Sequence, residues 1–560
     1  MNRNINGNGN GLPFHASGQK HQGFGAIAGK SRRISPKNLI LLTGVCIVSL
    51  LTLSRFFSAS SDGAPSIVVN SSEHEAKNDL EREVLVKQIL ETRKSAYSFD
   101  DFTEEGLVLE TNQHLLPATA ILLGWKRHEG LKLVVKYLAR YPYIKEIIIW
   151  NNNQETKLSK KDFEFDSSYG PAPELQIHNG QENMHDFAKY MSCSLAKYQH
   201  CYFQDDDWLN THMDALYTNF LTSPSLIHTN TLPLIHMEHR RWTFTNPEYK
   251  MHTGFAWMGT GSYLPREKAQ RLLEQGGNSN LAKDRLKVID MYFSIWTNQY
   301  PYQLVNYLMP LDQKNGWSTD GAVDHWTVVY RNMMDAATRL YSALVANPEV
   351  SEKDYFPREE ELPLMGDRHA RSPCYNDKCL FKTSLDPFPL PNEVVFNDDI
   401  ESIEDQNSKF RALDYPTNEF FAAYSYIHAV DNDPMTCWNS FKVPQSGDSF
   451  GLQFVAPRQV RKMTVSSSKS LMGLLEGKLF SVMVSDMKGE EWVKCRHSTR
   501  FPYAHTMTLD ISCPTTATST TSSATVSFPN GFVSNVKVVF DQNLEKSLEI
   551  CAMDVGGMVL

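Results

Sequence analysis

Apolar and polar positions follow two different periods in the first half of this chain of 560 residues. Short apolar runs bounded by polar residues predict strands, and apolar residues at helical spacing predict helices between them. The predicted strands occupy 119–124, 145–150, 174–178 and 200–204, and the predicted helices 129–140 and 184–198. Strands that alternate with helices favour a parallel α/β sheet, whose ligands bind at the carboxyl ends of the strands. We therefore expect a Rossmann-like α/β domain over residues 116–346.

The pattern changes in the last third of the chain. Short apolar runs separated by turn residues predict an all-β domain over residues 411–560. These runs lie at 450–455, 460–465, 479–484 and 536–540. Residues 347–410 between the two domains hold several prolines and mixed charges, and this composition predicts a linker or a segment that wraps around a domain.

The N-terminal segment has the composition of a membrane anchor. Residues 1–37 are rich in Gly, Asn and Ser, which predicts a disordered tail. Residues 39–53 are an uncharged apolar run, and with its flanks this run predicts a membrane anchor over residues 38–57. Four basic residues precede this run and only Arg55 follows it closely, so the positive-inside rule places the tail in the cytosol. Signal-peptide cleavage near residues 58–60 is the alternative.

An anchor of this orientation is expected to place residues beyond about 60 in the lumen of the Golgi or endoplasmic reticulum, as in a single-pass type II protein. Residues 58–115 form a predicted stem, whose charged helical part leaves self-association or hetero-oligomerisation open. Eight cysteines follow the anchor, which suits disulfides in an oxidising compartment, and Cys374 and Cys379 are spaced to close a small loop. Asn70 begins an N-glycosylation sequon.

Three consecutive carboxylates, Asp205, Asp206 and Asp207, follow the fourth predicted strand. Their mutual repulsion would be relieved by a hard divalent cation, because Mg²⁺ and Mn²⁺ prefer carboxylate oxygens. The alternative is a solvated acidic turn. The formal net charge of −9 argues against a broad nucleic-acid-binding surface, and we expect no nucleic-acid partner.

Three further segments accompany this triplet in chain order. They are Gly-Trp-Lys-Arg-His-Glu at 124–129, Trp-Asn-Asn-Asn at 150–153 and Val-Ile-Asp-Met-Tyr-Phe at 288–293. With these segments, residues 117–340 resemble the exostosin-type glycosyltransferases of family 64. The resemblance implies the GT-A fold, a UDP-sugar donor, Mn²⁺ or Mg²⁺, and transfer with retention of anomeric configuration.

The resemblance also implies roles for individual residues. Asn151 and Asn152 would contact the nucleotide, Asp205 would face the ribose or donor sugar with Asp206 in the same substrate-binding set, and Asp207 would ligate the metal between the donor phosphates.

Near the reacting sugar one residue matches the family pattern and two depart from it. Asp290 would lie under the donor anomeric carbon, as a nucleophile or as an electrostatic stabiliser. Lys189 stands where the family has an Arg near the diphosphate, and Lys supplies a charge without bidentate geometry. Ile289 replaces a carboxylate that the family usually has beside Asp290.

Each candidate residue has a structural alternative. Asn151 and Asn152 are also typical of a turn, and Asp290 of a helix cap. Arg127 is either a nucleotide contact or a surface charge, and His325 either approaches the diphosphate or is a structural histidine. Trp257, in a Gly-rich aromatic stretch, either floors the acceptor site or packs in a core turn.

The C-terminal domain carries a second resemblance. The segments 429–438, 447–454, 457–460 and 485–492 resemble the discoidin (coagulation factor type C) family. That family implies a galactose-binding-like β-sandwich whose end loops bind glycans or other ligands. Asp431 and Asp433 are candidate calcium ligands or ordinary turn residues.

The combined expectation is a lumenal, metal-dependent retaining glycosyltransferase. It would move an N-acetylhexosamine or a hexose from a UDP-sugar to a glycan or glycolipid acceptor. The alternative is a catalytically inactive, glycan-binding membrane protein, which Ile289 favours slightly. A glycoside hydrolase is a third class, but no pair of catalytic carboxylates can be placed for it.

Overall fold

The structure is a computed structural model. It describes residues 72–103, 115–236, 242–279, 281–312, 325–346, 368–387, 395–397, 399, 401–403, 405–406, 418–486, 489, 491–522, 525–556 and 558–559. The chain from Ser71 onward forms one compact unit. The predicted tail, the predicted anchor over 38–57 and the sequon at Asn70 lie outside the described residues.

A seven-stranded sheet forms the centre of the first domain, with the strand order β10-β6-β9-β4-β1-β2-β3. Strands β1, β2, β3 and β4 are mutually parallel, as are β6 and β10, and β9 runs antiparallel between β4 and β6. The strands of this sheet are β1 Ala118–Gly124, β2 Ile144–Asn151, β3 Glu174–Asn179, β4 His200–Gln204, β6 His228–Thr231, β9 Ser262–Pro265 and β10 Tyr302–Val305. Two small antiparallel pairs accompany it, β5 Trp208–Leu209 with β11 Met309–Pro310 and β7 Thr243–Asn246 with β8 Met251–Gly254.

The central strands are apolar on both sides because helices cover both faces of the sheet. Along β1, Ala120 and Leu122 pack into one core, and Ile121 between them packs into the other. Successive side chains of a strand point to opposite faces, so a continuous apolar run is what two covered faces require. The helices of this domain are α1 Ser72–Thr92, α2 His128–Leu138, α3 Phe187–Ser194, α4 Met213–Thr222, α5 Arg266–Asn278, α6 Lys283–Leu286, α7 Asp290–Trp296 and α8 His325–Ala346.

The second domain is a curled antiparallel sheet of ten strands around its own apolar core. Strand β18 pairs with β17 through its first four residues and with β19 through the rest, so the two halves of the sandwich are continuous. The strands are β12 Ala370–Pro373, β13 Cys379–Thr383, β15 Ser449–Gln459, β16 Lys462–Ser466, β17 Phe480–Ser485, β18 Trp492–Tyr503, β19 Thr506–Ser512, β22 Phe532–Phe540, β24 Ala552–Val555 and β25 Met558–Val559. Two short pairs, β14 Trp438–Asn439 with β23 Glu549–Ile550 and β20 Thr516–Thr518 with β21 Thr525–Ser527, and the helices α9 Asn418–Ala423 and α10 Leu471–Leu475 complete it.

The predicted fold class, a Rossmann-like α/β domain followed by an all-β domain, is confirmed. Two of the predicted boundaries need correction. The predicted linker over 347–410 contributes β12 and β13, which pair with each other and, through β13, with β15 of the second domain. The end of the predicted stem also packs onto the first domain, since Phe102 is buried in its core.

Four disulfides join cysteines of the described residues. The predicted closure of the loop between Cys374 and Cys379 is confirmed. The other pairs, which the sequence left open, are Cys193–Cys201, Cys437–Cys551 and Cys495–Cys513.

The loop between Cys374 and Cys379 joins the two domains. Its Asp377 accepts the backbone N–H groups of Asp214 at 3.1 Å and Ala215 at 2.9 Å, in the first turn of α4. A carboxylate at a helix N-terminus satisfies amide groups that have no partner within the helix and complements the helix dipole. The carboxylate of Asp214 in turn accepts hydrogen bonds from Ser95 and Tyr143, at 2.8 and 2.9 Å, so the end of the stem is tied to the same helix.

Candidate active site

The acidic triplet lies at the carboxyl edge of the central sheet. Strand β4 ends at Gln204, and the backbone N–H of Asp205 then donates to the carbonyl of Gly259 at 2.8 Å. A Cβ atom on Gly259 would lie 1.9 Å from Oδ2 of Asp205, so the carboxylate fits only because this position has no side chain. Glycine therefore permits the close approach that places Asp205 at the sheet edge.

A buried lysine brings three carboxylates of this edge together. Nζ of Lys189, on α3, lies 2.9 Å from Asp290, 3.0 Å from Asp205 and 3.4 Å from Asp186. Only 2% of the Lys189 side chain is exposed. Tyr190 adds a hydroxyl that donates to the second carboxylate oxygen of Asp290 at 2.7 Å. We call these five residues the Lys189 cluster.

Burial and charge oppose each other within the Lys189 cluster. Burial lowers the pKa of Lys189, but the carboxylates of Asp205, Asp290 and Asp186 raise this pKa more, so it lies well above its ordinary value. Burial raises the pKa of Asp186 to about 8, with repulsion from Asp290 acting in the same direction. Burial also raises the pKa of Asp290, although Lys189 and Tyr190 act to lower it. The lysine is thus the charge that allows several carboxylates to share this site.

Arg127 holds the other two carboxylates of the triplet. Its guanidinium donates to Asp206 and to Asp207, at 2.7 Å in each case. Burial raises the pKa of Asp206 to about 7, against the lowering effect of Arg127. Burial and then repulsion from Asp205 raise the pKa of Asp207 to about 6. Arg127 is therefore not an isolated surface charge. It forms ion pairs with two aspartates of the triplet, and its nucleotide contact stays a prediction.

Asp290 is not a helix cap in this structure. The residue at the N-cap position of α7 is Ile289, and Asp290 is the first residue of the helix. Both carboxylate oxygens of Asp290 accept hydrogen bonds from α3 instead, one from Lys189 and one from Tyr190. Ile289 is fully buried in the apolar core, so its side chain serves packing.

Asn151, the last residue of β2, and Asn152 after it form hydrogen bonds to neighbouring segments of the chain. The amide of Asn151 donates to the carbonyl of Thr156 at 2.6 Å and to the side chain of Asn179 at 2.9 Å. The side-chain oxygen of Asn152 accepts the N–H of Met184 at 3.0 Å. Both side chains thus have partners within the chain, as a structural role requires. The nucleotide contacts of Asn151 and Asn152 stay predictions.

The two aromatic candidates lie differently. Trp257 is partly buried against the core, two residues before the glycine that underlies Asp205. His325 begins helix α8, and its side chain lies outside the described residues. The acceptor role of Trp257 and the diphosphate role of His325 stay predictions.

Two residues of the Lys189 cluster were not among the sequence-based candidates, namely Asp186 and Tyr190. Asp186 precedes Lys189 by three positions, the spacing at which side chains of a helix lie on one face. This spacing is the signal that would have indicated Asp186. Tyr190 has no such signal, because its role depends on α7, about a hundred residues further along the chain.

A divalent metal fits the triplet in a limited way. Among the described residues, the one group of three His, Cys, Asp or Glu with ligand atoms within 4.8 Å of one another is Cys437, Glu549 and Cys551, whose cysteines form a disulfide. The three aspartates therefore do not converge as a complete cage. Asp205 and Asp207, with 27% and 16% of their side chains exposed, are the members open enough to offer an oxygen. One or two carboxylates with phosphate oxygens and water form the usual Mg²⁺ site of nucleotide-binding proteins.

Comparison with known proteins gives partial likenesses only. No family model matches the sequence, and no curated protein matches it. Among solved structures, a mannosyltransferase from Pyrobaculum calidifontis, in complex with GDP-Man and Mn²⁺, is 11% identical with a TM-score of 0.26, over 50% of this chain and 77% of that one. Mannosyl-3-phosphoglycerate synthase from Rubrobacter xylanophilus is 11% identical with a TM-score of 0.25, over 49% of this chain and 88% of that one.

The other likeness concerns a carbohydrate-binding protein. A CBM32 domain from Clostridium perfringens, in complex with GalNAc-β-1,3-galactose, is 16% identical with a TM-score of 0.17, over 23% of this chain and 81% of that one. At these identities and TM-scores, nothing about activity or ligands is transferred from any of these proteins to this chain.

The ion pairs of the Lys189 cluster are expected to contribute to the free energy of unfolding. The change Lys189→Met removes the ammonium from between three carboxylates, and loss of one partner of a buried ion pair costs about 3–5 kcal/mol. We expect the free energy of unfolding, measured by denaturant titration, to fall by about this amount.

The matched control is Lys197→Met. Lys197 pairs with Glu174 at 3.6 Å on the surface, where both side chains are more than half exposed. Exposed pairs contribute about 0–1 kcal/mol, so this variant is expected to unfold almost as the wild type does. Equal, small losses in the two variants would contradict the role of Lys189.

Proposed function

We propose that the chain is a metal-dependent glycosyltransferase of the GT-A, exostosin-like type, with a nucleotide-sugar donor. The observation that carries the proposal is the convergence of Asp205, Lys189 and Asp290 at the carboxyl ends of the parallel strands of the first domain. Ligands of open α/β sheets bind at this edge. A nucleoside diphosphate carries negative charge and a transferring sugar develops positive charge, and this edge offers groups of both signs.

The first part of the site would receive the diphosphate. Asp207, with Asp205, would hold Mn²⁺ or Mg²⁺, which when bound stabilises the charge on the departing diphosphate. Arg127, between Asp206 and Asp207, fixes the orientation of these two carboxylates. Arg127 is also placed to contact the donor phosphates if they approach Asp207.

The second part would act on the sugar. Asp290 is held by Lys189 and Tyr190, and both donors favour its ionised form against the effect of burial. A carboxylate at a developing cationic centre stabilises the transition state more than the ground state. Retention of configuration is consistent with Asp290 as a nucleophile or as an electrostatic stabiliser.

The finer elements of the proposal rest on the sequence. They are UDP as the nucleotide, N-acetylhexosamine or hexose as the sugar, and a glycan or glycolipid as the acceptor, which the discoidin-like domain would help to bind. A type II anchor over residues 38–57, with the domains in the Golgi or endoplasmic reticulum lumen, belongs to the same proposal. Among the described residues no helix has the length and apolar character needed to cross a membrane. The four disulfides are consistent with an oxidising compartment.

The metal role of Asp207 can be tested by binding alone. We expect Asp207→Asn to abolish the Mn²⁺-dependent part of UDP binding, because the amide lacks the charge that a hard cation requires. Isothermal titration with UDP and with GDP, with and without Mn²⁺, measures this and identifies the preferred nucleotide.

The matched control for Asp207→Asn is Asp510→Asn. Asp510 also binds an arginine, Arg500, at 2.8 Å, but it lies in the second domain. Its replacement is expected to leave the Mn²⁺-dependent affinity unchanged. Equal affinities for the Asp207 variant and the wild type would exclude this aspartate as a metal ligand.

The role of Asp290 can be tested by turnover. Asp290→Asn keeps the shape of the side chain and removes its charge, so donor binding should persist. We expect kcat for Mn²⁺-dependent donor hydrolysis or transfer to fall by about 10²-fold or more, the scale of one lost preorganised electrostatic contact.

A matched control for this variant is Asp335→Asn. Asp335 likewise accepts a tyrosine hydroxyl, that of Tyr292, at 2.7 Å, on the helix pair α7 and α8. Near-wild-type kcat for Asp290→Asn would reject its catalytic role. Absence of turnover in the wild type with any nucleotide sugar would favour the inactive, glycan-binding alternative.

A further inference from the structure

A second cavity lies where the two domains meet. Its volume is about 360 Å³, within the usual range for small-molecule sites. Helix α4 and strand β10 form the wall from the first domain, and strands β13, β15, β18 and β22 form the wall from the second. None of the residues of the Lys189 cluster or of the acidic triplet lines this cavity.

Two lysines of the second domain share one face of the sheet in this cavity. In the register of the sheet, Lys382 on β13 is opposite Gly451 on β15, and Gly451 is opposite Lys537 on β22. The neighbours of Gly451 along β15, Phe450 and Leu452, point into the core of the sandwich. Since alternate residues face opposite sides, the two lysines project away from that core, into the cavity.

The positive charge of this pair is not neutralised within the described part of the chain. Nζ of Lys382 donates to the neutral side chain of Asn535 at 3.4 Å, and Nζ of Lys537 lies 3.7 Å from the centre of the Trp492 ring. No carboxylate of the described residues forms an ion pair with either lysine, and none lines the cavity. Burial, and then repulsion from Lys537, lowers the pKa of Lys382 to about 8.

A buried side-chain amide in this cavity lacks a hydrogen-bond acceptor among the described residues. The Gln453 side chain also lines the cavity, and the residue is 1% exposed. Its Nε2 is buried and donates to no atom of the residues that the structure describes. A buried donor without an acceptor costs free energy, so such groups in native proteins usually have an explanation, such as a bound molecule. An oxygen-rich ligand would accept from this amide.

We propose that this cavity binds an anionic saccharide, a sugar ring that carries a sulfate, phosphate or carboxylate group. The acidic group binds between Lys382 and Lys537, and Gln453 donates to an oxygen of the ligand. Hydroxyl and amide groups of α4 and the loop after it, from Asn219, Thr222 and Ser223, face the cavity and suit the neutral hydroxyls of a sugar. This site is independent of the proposed transferase chemistry, because the two share no residue.

The test uses the purified full chain and three kinds of probe. These are inorganic sulfate and phosphate, the acidic sugars galactose 6-sulfate and glucuronic acid, and neutral galactose. We expect an acidic sugar to bind saturably in isothermal titration and to raise the melting temperature. Inorganic anions are expected to bind more weakly, and galactose not to bind at this cavity.

The variant Lys382→Met separates a binding role from a structural one. We expect it to weaken acidic-sugar binding by about tenfold or more, the effect of one lost charged hydrogen bond. Without ligand, its melting temperature is expected to equal or exceed that of the wild type, because a partly buried, uncompensated charge is gone. Lys494→Met, on an exposed position of β18, is the matched control and should bind as the wild type does.

Three results would overturn the proposal. They are no saturable binding of any acidic sugar, equal affinity of the wild type and Lys382→Met, and inorganic sulfate binding as tightly as the sulfated sugar, which would reject the saccharide. Donor turnover is expected to be unchanged in Lys382→Met. Loss of the transferase activity altogether would therefore leave this test intact.

Discussion

One buried ammonium group determines the arrangement of the candidate active site. Lys189 joins the N-terminal turn of α3, the end of β4 and the first residue of α7 through Asp186, Asp205 and Asp290. Carboxylates that are withdrawn from water repel one another and would take up protons without a compensating cation. The ion pairs to Lys189 thus hold three separate elements in one orientation, and Asp290 faces the same group as Asp205.

Lys189 differs from the pair Lys382 and Lys537 in how its positive charge is balanced. Lys189 has carboxylate partners supplied by the chain itself, and this makes it part of the built structure. Lys382 and Lys537 line an interdomain cavity, where Lys382 donates to a neutral amide and Lys537 lies over an aromatic ring. No carboxylate of the described residues lines this cavity. A charge that the protein does not neutralise is best explained by a ligand that does. The charge of Lys189 is therefore balanced by the chain itself, whereas the charge of the lysine pair would be balanced by the proposed ligand.

The parts of the fold that follow from local pattern could be predicted. The four strands that lead to the triplet have apolar runs long enough to span a sheet covered on both faces. Each begins and ends within one residue of its predicted bounds. Strands β12 and β13 could not be predicted in the same way. Ala-Arg-Ser-Pro and Cys-Leu-Phe-Lys-Thr are short and lie among prolines, and they become strands only because the edge of β15 pairs with β13.

The candidate site was predictable in composition but not in geometry. The triplet and Asp290 could be chosen from their positions after a strand and before an apolar helix. The ion pair between Lys189 and Asp290 joins residues about a hundred positions apart, and no local pattern indicates such a contact. Asn151 and Asn152 show the opposite case, since residues typical of both a turn and a binding site here form hydrogen bonds to Thr156 and Met184 of the chain itself.

The position of a bound Mn²⁺ would show directly whether Asp207 or Asp205 is a metal ligand. Anomalous X-ray scattering from crystals of the protein with Mn²⁺ and UDP locates the ion independently of any assay. We expect a single strong anomalous peak between the diphosphate and the carboxylate of Asp207 or Asp205, at the carboxyl end of β4. Bound UDP at another place, or a Mn²⁺ peak that contacts neither aspartate, would contradict this expectation.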